Sequence, residues 1–221
     1  MKISNNGRLY SNVVLRRIFS ILNVNSVLNV SGWDDGDKEG DKYINYFPSI
    51  LSAYKISSYS KDHLRSDMSM SHLIIDLEDR AYRVSEKFDL IFSHTVLEHV
   101  FDQENAFRIM CESANKYVVG VVPMINVLHW EETYGDYWRF TPHGIIKLIN
   151  NQGFNLAHLE IGPSSSISQY IIFVAARDDV EIDYRLSTMS VNSGEVGIFR
   201  LENLLKIIFW RVIEKLTKFK I

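Results

Sequence analysis

Two stretches, FDLIFSHTVLEHV (residues 88–100) and YGDYWRFTPHG (residues 134–144), decide how this chain is read. The first opens as an apolar run broken only by Asp89, the pattern of a strand buried on both faces. It ends in small and polar residues, ahead of a segment carrying Glu98 and His99 that reads as the opening of a helix. The second is an aromatic and charged loop that runs into a helix with Pro142 in its first turn. Proline is well placed there, because its missing N–H has no intrahelical partner to lose.

Upstream, apolar residues at helical spacing predict a helix over residues 9–22. Short buried strands are expected at 26–31, 53–57 and 72–76, with a Gly- and Asp-rich loop at 32–40 and a weak helical segment at 43–51. Downstream, a helix is expected at 103–115, a strand at 117–122 closed by Pro123, and a helix at 142–152 with Gly153 just past its end. Two strands, 154–161 and 169–176, complete the pattern. Apolar strands alternating with helices argue a mainly parallel sheet covered on both faces. The last two strands are separated only by GPSSSIS, residues 162–168. That is too short for a helical crossover, so they should pair antiparallel.

A chain of 221 residues with 46% apolar side chains can bury one proper core with appendages. Residues 1–178 form the expected domain, the polar residues 179–196 a linker, and 197–221 a separate tail. The net charge of −3 gives no nucleic-acid footprint. The single cysteine, Cys111, excludes an intrachain disulfide and suits a reducing compartment. The first residues lack the apolar core of a signal peptide, and no run approaches the roughly 18 apolar residues of a spanning helix. A cytoplasmic location is expected. In the tail, Leu201, Leu204, Leu205, Ile208, Val212, Leu216 and Phe219 share one helical face. Six basic residues against two glutamates give it +4, so the remainder carries −7. Such a basic amphipathic helix packs on its own domain, docks on a second copy or another protein, or lies on an anionic membrane surface.

The two quoted stretches, set in this order of elements, resemble the class I S-adenosylmethionine-dependent methyltransferases. They also resemble the small bacterial methyltransferase-domain proteins of surface-glycan gene clusters. The resemblance implies a Rossmann-like α/β fold, with a mainly parallel seven-stranded sheet ending in an antiparallel hairpin. It implies S-adenosyl-L-methionine as cofactor and methyl transfer to a hydroxyl of a sugar or surface-glycan intermediate. The alternative is a catalytically inactive methyltransferase-like scaffold within a glycan-assembly complex.

Ligands of open α/β sheets bind beyond the carboxyl ends of the strands, which points to the loops after Ser31, Ser57, Asp76 and Ser93. The family pattern there is an acidic residue followed by a glycine-rich turn. Here Asn29 stands at the acidic position, Ser31 at the first glycine, followed by Gly32, and Trp33 occupies the place of a second glycine. A plain surface loop is the competing reading of this segment. At the end of the second strand the family offers a carboxylate to the ribose hydroxyls; Ser58 is the positional match and makes a weaker contact. Asp76 and the amide of Leu77 match the pair that holds adenine, with a turn aspartate as the alternative. Ser93 and His94 should face the donor, and His99 reads as a core histidine pinning the helix to a neighbouring loop. The acidic run of residues 34–41 lacks the register of a calcium loop, and no metal site is expected. The loop at 129–140 should supply the substrate side: His129 as general base, because imidazole titrates near neutrality, with Tyr137 and Arg139 as substrate contacts. Arg139 suits a phosphate or carboxylate clamp, or else pairs with Asp136; Trp138 and Phe140 read as core anchors.

Overall fold

A computed structural model describes residues 7–31, 35–48, 51–60, 71–126, 128–130, 132, 134–162 and 169–186. Gly32 and the tail at 197–221 lie outside the described residues. The elements are α1 (Gly7–Ile21), β1 (Ser26–Asn29), β2 (Ala53–Ser58), β3 (Ser71–Ile74) and β4 (Phe88–His94). They are followed by α2 (Gln103–Ser113), β5 (Ala114–Pro123), α3 (Pro142–Asn151), β6 (Phe154–Gly162) and β7 (Tyr170–Arg177). The seven strands form one sheet in the order β3-β2-β1-β4-β5-β7-β6. β1 to β5 pair in parallel, and β7 runs antiparallel to both β5 and β6. The expected parallel sheet with a terminal antiparallel hairpin is what the chain adopts.

The period-2 alternation of the central strands sends side chains to two separate cores. Leu90 and Phe92 of β4, Val119 and Val121 of β5, and Val174 of β7 pack beneath α1. Ile91, Val118, Val122 and Phe173 face the opposite layer with α2 and α3. Both faces are therefore apolar, and the strands read as unbroken hydrophobic runs. Gly120 of β5 is required by this packing: a Cβ there would sit 2.3 Å from the Phe173 ring.

The helix ends follow their sequences. Asp102 caps α2 by accepting from the Asn105 amide at 3.2 Å, and Thr141 caps α3 by accepting from the Gly144 amide at 3.1 Å. Gly153 takes φ +70°, beyond the end of α3, a conformation that costs glycine little. The segment after β4 differs from expectation. Residues Leu97–His99 form a single 3₁₀ turn, and the α-helix begins only after Asp102. Val100 is extended and Val96 lacks a capping side chain, so the turn has nothing to propagate it. Among the described residues of the 43–51 segment, helical structure is likewise limited to a 3₁₀ turn, Tyr43–Tyr46. After β7, Val180 and Leu186 pack onto the α1-side core, so the start of the stretch expected as a linker lies against the domain.

One ion cluster ties α1 to the edge of the sheet. Glu160 of β6 accepts from Tyr10 Oη at 2.5 Å and from Arg17, with His158 Nε2 at 3.3 Å. Burial alone would raise this carboxyl, but the His158 and Tyr10 hydrogen bonds and the Arg17 charge outweigh it and hold it at about 2. A folded-state value below the unfolded one adds stability that is complete above the ordinary carboxylate range and is lost as pH falls through the folded value. Glu160→Gln should therefore cost about 1–3 kcal/mol at pH 7, the scale of hydrogen bonds to a charged group. The difference from the parent should vanish between roughly pH 4 and pH 2. Urea titrations at pH 7 and pH 3 measure it, and an equal gap at both would remove Glu160 from the acid sensitivity.

Candidate functional site

A cavity of about 750 Å³ opens beyond the carboxyl ends of β1, β2 and β4. This is the switch point of the sheet, where β1 is flanked by β2 on one side and β4 on the other.

The wall after β1 is built around a buried carboxylate. Asn29 is fully buried; its Nδ2 donates to Asp35 Oδ1 at 2.7 Å, and its Oδ1 accepts from the Ser31 amide at 2.8 Å. Asp35 Oδ1 also accepts from Tyr54 Oη, and Oδ2 accepts from the Ile44 amide at 2.9 Å. Burial pushes the Asp35 carboxyl up, against the three hydrogen bonds that favour its charge. The residue sits at φ +62°, a left-handed conformation that Asp tolerates better than most side chains.

Beyond β2, Ser58 lines the cavity, and its buried Oγ has no hydrogen-bond partner among the described residues. Asp76 is exposed at the rim, with Oδ1 accepting from the Glu78 amide at 2.9 Å in a local turn. Leu77 is buried beside it, its carbonyl held by Asn105 Nδ2 of α2 at 2.8 Å.

At the end of β4, His94 is only 3% exposed. Arg8 of α1 donates through Nη1 to His94 Nδ1 at 2.7 Å and through Nη2 to Thr95 Oγ1 at 3.3 Å. His94 Nε2 lies 3.0 Å from Ser11 Oγ, which donates to the Arg8 carbonyl at 2.9 Å. Burial and the Arg8 charge hold the imidazole well below its ordinary range. It is therefore neutral: Nδ1 accepts from Arg8, and Nε2–H faces Ser11. The Arg8 guanidinium and Lys38 bring positive charge to this end of the cavity.

The opposite wall joins the 3₁₀ turn to the loop before α3. The Glu98 carbonyl accepts from the Tyr137 amide at 2.8 Å and the Trp138 amide at 3.3 Å. The Glu98 carboxylate is buried, and burial pushes it up to about 7. His99 Nδ1 meets the Gly135 carbonyl at 2.6 Å, and its ring packs edge-on against His129 and Tyr134, with centroids 4.9 and 4.6 Å away. Burial lowers His99, outweighing the Gly135 hydrogen bond. Asp136 accepts from the His129 amide at 2.8 Å and holds Arg139 through both carboxylate oxygens, at 2.5 and 2.7 Å.

Solved structures superpose on this fold. A S-adenosylmethionine-dependent methyltransferase from Mesorhizobium loti superposes with a TM-score of 0.55 at 13% identity, over 78% of this chain and 99% of that one. A putative S-adenosylmethionine-dependent methyltransferase from Listeria monocytogenes does so with a TM-score of 0.56 at 11% identity, over 80% of this chain and 100% of that one. The chain has the class I methyltransferase fold. The 1,6-didemethyltoxoflavin-N1-methyltransferase of Burkholderia thailandensis, solved with bound 1,6-didemethyltoxoflavin and S-adenosylhomocysteine, matches with a TM-score of 0.55 at 10% identity, over 80% of each chain. No family model matches the chain, and no curated protein does.

On this methyltransferase fold the residues singled out in the sequence divide clearly. Asn29, Ser31, Ser58, Asp76, Leu77, His94, His129 and Tyr137 all line the one cavity. Ser93 does not: it is fully buried and points away from the α1 side, because strand alternation gives it the opposite face from His94. His94 meets the cleft as expected, but it is 3% exposed and held by Arg8 and Ser11. Arg139 is not at the cavity surface; its fork is engaged by Asp136, which makes it a brace of the loop. Phe140 is a core residue as expected, but Trp138 remains 38% exposed, its ring tilted against Phe101 at the rim. His99 does pin the turn to the neighbouring loop through Gly135, and it also lines the cavity. Sequence reasoning passed over Arg8, Asp35 and Glu98. Asp35 was hidden in the acidic run of residues 34–41, and Arg8 lies 86 residues from its partner His94.

Proposed function

We propose that the protein transfers a methyl group from S-adenosylmethionine to a hydroxyl of a sugar or surface-glycan intermediate. The observation that carries the donor half is the match between the cavity's donor set and the three parts of that molecule. Arg8 and Lys38 bring positive charge suited to the carboxylate of the methionine end. The orphaned Ser58 Oγ suits a ribose hydroxyl. Asp76 and the Leu77 backbone, at the far rim, suit the adenine edge. S-adenosylmethionine supplies an electrophilic methyl on a sulfonium. The protein's part is chiefly alignment, since in-line displacement gains most from proximity.

The acceptor half rests on the resemblance of the 134–144 loop, supported by its chemistry. Phe101, Tyr137 and Trp138 are 63%, 52% and 38% exposed at the rim, with Phe101 edge-to-face on Tyr137 and tilted against Trp138, the kind of surface on which sugar rings stack. A free alcohol is a poor nucleophile and benefits from a base. His129 is the proposed base. It takes the hydroxyl proton as the oxygen lone pair forms the O–CH₃ bond and the C–S electron pair returns to sulfur. The tail of residues 197–221 is proposed to bring the domain to a protein partner, a second copy or a membrane-borne acceptor. No described helix is long and apolar enough to cross a membrane.

The test is calorimetric titration with S-adenosylhomocysteine. Affinity on the order of micromolar is expected. Ser58→Ala and Asp76→Ala should each weaken it about 3- to 10-fold, the scale of a single hydrogen bond. No heat and no thermal shift at millimolar ligand would leave a methyltransferase-like scaffold as the function.

A further inference from the structure

Glu98 is the anomaly of the site. Its side chain is 1% exposed, and neither carboxylate oxygen has a hydrogen-bond partner among the described residues. An ionised carboxylate held this way costs several kcal/mol unless it is paired or coordinates a metal. The nearest group able to carry positive charge is His99, whose Nε2 lies 3.9 Å from Glu98 Oε1. That nitrogen is set as an acceptor. His99 Nδ1 is 2.6 Å from the Gly135 carbonyl, which can only accept, so Nδ1 carries the proton and the Nε2 lone pair turns toward Glu98. Two lone-pair donors therefore face each other at the wall of a cavity.

The third member is His129. One ligand atom each from Glu98, His99 and His129 lie within 4.8 Å of one another, and all three residues line the cavity. The surroundings have the form of a metal site's outer shell, in which ligating imidazoles are oriented by carbonyls or carboxylates through their other nitrogen. Gly135 does this for His99. Asp136 Oδ2 stands 3.6 Å from His129 Nδ1 and is itself fixed by Arg139. Two imidazoles and one carboxylate, with a face open to a cavity, is a donor set for a catalytic divalent transition metal.

We infer that Glu98, His99 and His129 bind one divalent transition-metal ion, of the zinc and manganese class, on the acceptor side of the cavity. This deepens the proposed methyl transfer and rests on it for its chemistry, though not for its existence. A cation here would hold the acceptor oxygen and lower the pKa of its hydroxyl. The proton would pass to water at the cavity mouth. His129 is then a ligand, and the base of the metal-free reading is not needed.

The experiment uses the full chain, stripped with chelator, and adds metal alone with no donor or acceptor. Calorimetry with Zn²⁺ and electron paramagnetic resonance with Mn²⁺ should report one ion per chain. Glu98→Gln and His99→Ala should each weaken binding by more than the roughly 10- to 100-fold that loss of an outer-shell partner costs. Glu98→Gln keeps the side-chain volume, and its S-adenosylhomocysteine affinity, measured beside the parent's, reports that the cavity is still folded. Stoichiometric metal binding lost in both variants, with nucleoside affinity kept in Glu98→Gln, supports the site. Parent protein that binds neither ion, or variants that bind as well as the parent, overturn it. Metal binding without any S-adenosylhomocysteine binding would instead overturn the donor reading and leave the metal site standing.

Discussion

Asp35→Ala should lower the unfolding free energy by about 3–5 kcal/mol and collapse the donor side of the cavity. The change leaves several buried donors behind. Asn29 Nδ2, Tyr54 Oη and the Ile44 amide all donate to this carboxylate. Each buried donor left unpaired costs about 1–3 kcal/mol. Alanine at φ +62° adds about 1–2 kcal/mol that aspartate largely escapes. Relief from desolvating the carboxylate, which is what raises its pKa, offsets part of the sum. Asp35→Asn keeps the shape and the tolerance of the left-handed conformation but turns an NH₂ toward at least one donor. It should cost about 1–2 kcal/mol. Urea denaturation orders the three proteins. S-adenosylhomocysteine affinity should fall in the same order, because Asn29 loses the partner that sets its carboxamide, which in turn holds the Ser31 amide. An alanine variant as stable as the parent would show that the 35–44 loop carries none of the site.

The same residue explains what could be read from the chain beforehand. The sheet was legible because its central strands are apolar on both faces and alternate with helices, a pattern that a doubly covered, mainly parallel sheet produces. The hairpin was legible because seven residues cannot carry a crossover. The cofactor loop looked deficient for a local reason: the pattern asks for an acid at Asn29. The acid is present six residues later, and the chain's left-handed turn at Asp35 folds it back onto Asn29. Such a return depends on tertiary packing by Tyr54 and the 3₁₀ turn, which no spacing rule encodes. Ser93 was misplaced where His94 was not, since alternation puts neighbours on opposite faces and only His94 meets the cavity. Glu98 was visible as a residue but not as a buried one. Its burial comes from the 134–140 loop closing over the 3₁₀ turn, with the Tyr137 and Trp138 amides on its carbonyl. Arg139, read as a clamp for substrate, was already committed to Asp136 by a spacing of three residues.

Arg8→Met should weaken S-adenosylhomocysteine binding by roughly 10- to 100-fold, the equivalent of about 1.5–3 kcal/mol for hydrogen bonds to a charged group. The guanidinium reaches the cavity from α1, held by His94 Nδ1 and Thr95 Oγ1. It stands at the β4 end, opposite the Asp76 rim where the nucleoside base is proposed to lie. Because burial and Arg8 keep His94 neutral, its imidazole offers no positive charge to a carboxylate. The carboxylate of the ligand's amino-acid end therefore depends on Arg8, with Lys38 as the other cation lining the cavity. Methionine keeps much of the length and apolar contact of the arginine stem, so the loss is chiefly one of charge. Methylthioadenosine, which has the nucleoside and sulfur but no amino-acid end, separates this role from a structural one. It should bind parent and Arg8→Met alike, within about 3-fold. Equal losses for both ligands would make Arg8 a support for His94 and the β4 turn, and the methionine end of the donor would have to lie elsewhere in the cavity.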